Sequence, residues 1–84
     1  MNATATHSMR QTIVTKYHGP GNVRGSRVSA TCQAGKVIIE WDNALNSDQN
    51  HAAACVALCK KINRDAQYVG GSIGPDTQAW VELP

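Results

Sequence analysis

Apolar and polar positions alternate with a period of two through the first half of the chain, shift to a helical period, then return to alternation. Residues 10–17 predict a strand, with Ile13, Thr15 and Tyr17 on one side and Val14 and Lys16 on the other. Residues 27–33 repeat the pattern. Val28, Ala30 and Cys32 point one way, and Arg27, Ser29, Thr31 and Gln33 the other, as in a half-buried antiparallel strand. Ala34-Gly35 predicts a turn, and residues 36–41 a third strand with Val37, Ile39 and Trp41 toward the core. The second and third strands are expected to form a hairpin.

The connector 42–47 ends in Ser47, the expected N-cap, with Asp48 beside the positive end of the helix. Asn50 stands where a capping box would carry Glu or Gln, so the box is read as imperfect. A helix is predicted to about Arg64. Ala52, Cys55, Val56, Cys59 and Ile62 form its buried stripe, widened by His51 and Leu58. Ala53, Ala54, Ala57, Lys60, Lys61 and Arg64 take the outer face. Residues 66–71 predict a short strand, residues 70–76 a glycine-rich turn, and residues 77–83 a last strand in which Ala79, Val81 and Leu83 compete with Trp80 for the core side. The result is a small α+β domain over residues 10–84: one antiparallel sheet of four or five strands, in chain order β-β-β-α-β-β, with one helix on one face. Residues 1–9, small and polar, are expected to be a disordered or loosely attached tail.

Between the first two strands runs a glycine-rich, cationic loop, the chain's strongest functional candidate. Gly19, Gly21 and Gly25 loosen the backbone and Pro20 fixes one angle. Lys16, His18, Arg24 and Arg27 crowd positive or titratable groups around it, with Tyr17 and Asn22 beside them. Lys16, Tyr17, His18, Asn22, Arg24 and Arg27 are therefore the expected partner-binding residues, with Lys60, Lys61 and Arg64 as a secondary basic patch.

With 84 residues and no phenylalanine, the core rests on two Trp, two Tyr and aliphatic residues, which predicts a thin core in a monomer or a homodimer that adds buried area. Charged residues make up 17% of the chain, below the ~25% of ordinary domains, so a sparsely charged surface suited to docking is expected. The net charge of +2 is too small to demand nucleic acid. No stretch reads as a signal peptide or membrane span, and three cysteines without a secretion signal predict reduced thiols in a cytoplasm.

His51, Cys55 and Cys59, with Cys32, have the composition of a zinc site. The helix places the ends of that triplet about 12 Å apart at ~1.5 Å per residue, too far for one ion, so no metal and no cofactor is expected. No GxSxG, HExxH or Walker sequence occurs, and the carboxylates are scattered, so the chain reads as non-enzymatic.

The run Thr15-Lys16-Tyr17-His18-Gly19-Pro20-Gly21-Asn22-Val23-Arg24-Gly25-Ser26-Arg27-Val28 carries a resemblance, together with residues 42–47, Asn50-His51-x-Ala53-Ala54 and Gly70-Gly71. The chain resembles, over most of residues 13–83, a family of short uncharacterised proteins of bacteriophages, prophages and plasmids, with TKY-x-GP-x-N-x-RG-x-R as its most specific motif. The cysteines lie outside that pattern. The resemblance implies a setting rather than a chemistry: a mobile-element accessory protein that binds and modulates a host protein complex, with CRISPR–Cas effectors among the expected targets and an anti-CRISPR-like inhibitor as the expected role. A small nucleic-acid-binding domain using the same basic loop is the alternative.

Overall fold

The computed structural model describes Ala3, residues 12–21 and residues 25–83. The expected tail, Ala3 excepted, and loop residues 22–24 lie outside the described residues. The elements follow the expected order: β1 (Ile13–His18), β2 (Arg27–Cys32), β3 (Gly35–Glu40), α1 (Ser47–Lys61), β4 (Tyr68–Gly74) and β5 (Thr77–Glu82). They form a five-stranded antiparallel sheet, ordered β3-β2-β1-β5-β4, with α1 on one face. β1 lies at the centre because both hairpins return to it: β2 pairs on one side and β5 on the other.

The period-two pattern sets the faces. Ile13, Thr15, Val28 and Ala30 are buried beneath α1, while their chain neighbours Val14, Lys16 and Thr31 are exposed on the opposite face. The helix contributes Ala54, Cys55, Leu58 and Cys59 to this core, and Val37, Ile39, Trp41, Ile62, Tyr68 and Trp80 close its margins. The buried stripe therefore runs one position earlier than the sequence pattern suggests. Ala54, expected outside, is buried, and Val56, expected inside, is exposed. Burying a large aliphatic side chain is worth ~1.5–3 kcal/mol, but three near-identical stripes of Ala, Cys and Val left little to choose between them.

The start of α1 explains the shift. Its N-cap is Asn46, not Ser47: Asn46 Oδ1 accepts from the Gln49 N–H at 2.8 Å, and Gln49 Oε1 accepts from the Asn46 N–H at 2.9 Å. The capping box is complete, one residue earlier than expected. Asn50 is instead buried and staples the incoming connector. Its Oδ1 accepts from the Asp42 N–H at 2.8 Å, and its Nδ2 donates to the carbonyls of Asp42 at 3.0 Å and Asn46 at 3.1 Å. The helix ends at Lys61 rather than Arg64, because Asn63 takes a left-handed φ of 57°. The Arg64 N–H then turns back to the Cys59 carbonyl at 2.8 Å, closing the last turn.

Two further boundaries differ from expectation. The β2–β3 turn is Gln33-Ala34, and Gly35 already belongs to β3. A Cβ on Gly35 would lie 3.4 Å from Ile62 Cγ2, so its bare backbone lets the helix end approach the strand closely. β4 runs on through the expected glycine turn to Gly74, with a register shift between Ser72 and Gly74, leaving only Pro75-Asp76 as the turn. Trp80 wins the core side: it pairs with Ile13 and lies across Gly70, where a Cβ would meet the indole at 2.6 Å.

Candidate functional site

Among the described residues the helix covers one face of the sheet and leaves the other open, and the predicted site residues divide between them. Register puts His18 opposite Arg27 and Arg27 opposite Glu40; Lys16 opposite Ser29 and Ser29 opposite Ile38; Val14 opposite Thr31 and Thr31 opposite Lys36. Partners across a ladder share a face. Lys16, His18, Arg27 and Lys36 therefore form a basic field on the open face, interspersed with Ser29, Thr31, Val14 and Ile38. Lys36 was not among the expected binding residues. Its strand-mates Val37 and Ile39 signalled that it must face away from the core, but strand order was needed to place it beside Lys16.

His18 Nε2 hydrogen-bonds Ser29 Oγ at 2.9 Å and holds the imidazole down over the sheet. Burial pushes the His18 pKa below its ordinary value, and Arg27, Lys16 and Lys36 push it further the same way. The field is thus carried at neutral pH by Lys16, Arg27 and Lys36. Arg27 adds a specific feature: its Nε is buried with no hydrogen-bond partner. Arg27 lines a cleft of about 580 Å³ whose other lining residues include Ser26, Ile38, Glu40, Trp41 and Asn43. An unpaired buried donor costs ~1–3 kcal/mol.

Tyr17 parts company with this group. It faces the helix side, bonds Ser26 Oγ through its hydroxyl at 3.1 Å, and packs edge-on against Trp41 with ring centroids 4.8 Å apart. Asn22 and Arg24 lie outside the described residues. Neither Gly19 nor Gly21 takes a positive φ, so these two do not use the freedom expected of them.

The secondary patch does not join the loop. α1 ends beside the β2–β3 turn, where Lys61 Nζ donates to the Lys36 carbonyl at 2.6 Å, at the far end of β2 from Arg27. Arg64 donates to the Tyr68 hydroxyl at 3.2 Å and, with Lys60, rims an apolar groove of about 530 Å³ between α1 and the β4–β5 hairpin.

The helix side holds a second cluster. Trp80 Nε1–H donates to Thr15 Oγ1 at 2.9 Å, and Thr15 Oγ1 lies 2.7 Å from His51 Nδ1. The Thr15 hydroxyl has one proton and a second lone pair: either it donates to Nδ1, or the Nδ1–H donates to it while it donates to the Gln78 carbonyl at 3.4 Å. Burial lowers the pKa of His51 against the opposing pull of Asp48 and Asp76, so the ring stays neutral. His51, Ser47 and Asp76 line one cleft, yet this is a triad in residue types only. Nδ1 is committed to Thr15, and among the described residues no hydrogen bond joins His51 to Ser47 or Asp76.

All three cysteines are free thiols, and burial beside Cys59 pushes Cys55 up to about 12. Among the described residues no cluster of three or more His, Cys, Asp or Glu is arranged to hold a metal ion. No described helix is long and apolar enough to cross a membrane. No family model, curated protein or solved structure matches this chain.

Proposed function

We propose that this chain is a non-enzymatic docking protein of a bacteriophage or other mobile element that binds an acidic surface of a host protein complex, in the host cytoplasm, through the open face of its sheet. Arg27 is the anchor, Lys16 and Lys36 supply the surrounding field, and Val14 and Ile38 the apolar contacts. The observation that carries this reading is the gathering of Lys16, Arg27 and Lys36 on one face of the sheet, with Arg27 lining a cleft that a carboxylate fork can enter. A defence effector complex such as CRISPR–Cas is the target that the phage and plasmid setting implies.

The basic field also favours a second reading, contact with nucleic-acid phosphates. Against it, Tyr17, Tyr68 and Trp80 pack on the helix side, so among the described residues Trp41, which shares the Arg27 cleft, is the one aromatic residue near the field on which a base could stack. Fluorescence anisotropy with labelled DNA and RNA at low and near-physiological salt separates the two. The docking reading predicts no binding at near-physiological salt. Binding with a logarithmic salt slope of about −3, one counterion for each of Lys16, Arg27 and Lys36, would replace it with the phosphate reading.

A further inference from the structure

On the helix side, away from the proposed docking face, three rings meet nearly at right angles. Trp41 stands at 73° to Tyr17 with centroids 4.8 Å apart, and at 89° to His51 with centroids 6.2 Å apart. They line a cleft of about 230 Å³ whose remaining lining residues are Ser47 and Asp76, both exposed. The walls are fixed. The Tyr17 hydroxyl is tied to Ser26 and the His51 ring to Thr15, and Trp41 is held through its backbone, its main-chain N–H donating to the Ser26 carbonyl at 3.0 Å. Asp76 is fixed through its backbone, its carbonyl accepting from the Tyr17 N–H at 2.8 Å.

The charge of this cleft has one sign. Among the described residues no lysine or arginine lines it. Asp76 borders it and Asp48 stands in the adjoining first turn of α1. That turn would ordinarily attract anions, but the Asn46–Gln49 box meets two of its orphan donors and the aspartate offsets its dipole. Aromatic faces present negative charge to a cation, and a ring-walled recess with one carboxylate at its mouth recognises bulky, weakly hydrated cations best. A compact ammonium keeps its water and gains less from the rings.

We propose that the cleft formed by Tyr17, Trp41, His51 and Asp76 is a binding site for a methylated or quaternary ammonium group. Tyr17 and Trp41 take the methyl groups, with the buried His51 ring behind them, and Asp76 takes the charge. His51 serves as a neutral wall, which its bond to Thr15 and its burial maintain. Two sources carry this chemistry, a methylated lysine side chain on a protein partner and a free choline-like molecule.

The test is an NMR titration of the isotope-labelled full chain with tetramethylammonium chloride, with sodium chloride at matched ionic strength as control. The expected result is a saturable shift of the Trp41 indole N–H and the His51 ring signals in the millimolar range, with the Trp80 indole unmoved. Asp76→Asn, at an exposed turn and with its backbone bond intact, is expected to weaken binding roughly fivefold. Ammonium chloride is expected to bind more weakly than tetramethylammonium. Parallel titrations with choline and with a trimethyl-lysine peptide assign the source, the tighter of the two being the physiological class. No saturable shift up to about 50 mM, equal shifts at Trp41 and Trp80, equal binding of ammonium, or unchanged binding by Asp76→Asn would each overturn the proposal. Loss of host-partner binding through the open face would leave it standing.

Discussion

Gly70→Ala isolates the packing that fixes the far half of the sheet. In a strand interior this change ordinarily stabilises by ~0.4–1 kcal/mol, because it restricts the unfolded chain. Here the new Cβ would lie 2.6 Å from Trp80 Cδ2 and Cε3 and 2.7 Å from Cε2. The indole has no free direction of retreat, since its N–H is held by Thr15 at 2.9 Å and Thr15 by His51 at 2.7 Å. Overpacking of this kind costs ~1–3 kcal/mol, and stretching the Trp80–Thr15 bond adds ~0.5–1.5 kcal/mol. After subtracting the chain-entropy gain, the net loss is about 2 kcal/mol. Total stability at this length is only ~4–13 kcal/mol. The midpoint of thermal unfolding should therefore fall by about 8–16 °C. Gly71→Ala is the matched control: its Cβ meets nothing within 4 Å, and the variant should be as stable as the parent or slightly more so. Thermal and urea unfolding followed by tryptophan fluorescence reads both. In a Trp80→Leu background the Gly70→Ala penalty should vanish, which a double-mutant cycle measures directly. If Gly70→Ala behaves like Gly71→Ala, the placement of Trp80 across β4 is wrong, and with it the hydrogen-bonded chain to His51.

Three further outcomes follow from the same contacts. Both His18 and His51 titrate below their ordinary value, chiefly through burial. The unfolded chain therefore takes up protons first, and stability should hold above pH ~6.5 and decline as pH falls below it; urea midpoints from pH 8 to 5.5 should show this, flattened in His51→Asn, and a pH-independent midpoint contradicts it. Asn50→Leu strands the Asp42 N–H and removes the amide donor from the Asp42, Leu45 and Asn46 carbonyls, of which those of Asp42 and Asn46 keep a backbone donor, so chemical denaturation should report a loss of ~1–3 kcal/mol. Cys55, with its thiol pushed up to about 12 and buried with Cys59, should resist alkylation in the native state while half-buried Cys32 reacts first; mass spectrometry after brief labelling resolves the order.

The β-strands were legible because their alternation is unambiguous: Ile13 and Thr15 against Val14 and Lys16, Val28 and Ala30 against Ser29 and Thr31. The helix was legible in extent but not in rotation. Its candidate stripes differ by a methyl group or two, and the deciding residue is a polar one, Asn50, whose amide is buried for its hydrogen bonds rather than its apolarity. The end of β4 was hidden because Gly70-Gly71 reads as a turn, while the structure uses the missing side chain of Gly70 to admit the indole of Trp80. Of the candidate site, Lys16, His18 and Arg27 come together as expected, since residues flanking one loop face each other across a ladder. Lys60, Lys61 and Arg64 do not join them, because helix direction relative to the sheet is a tertiary property. The ring cluster was invisible for the same reason: Tyr17, Trp41 and His51 come from three separate elements or connectors.

The most direct measurement is quantitative affinity capture from host lysate by three immobilised forms of the chain: the parent, Lys16→Glu with Arg27→Glu on the open face, and Lys60→Glu with Lys61→Glu at the helix end. Each double variant reverses the same amount of charge, so a general electrostatic effect would strike both alike. The docking account predicts a host complex retained by the parent and by the helix-end variant, and lost from the open-face variant. Full retention by the open-face variant, or equal loss from both, contradicts it.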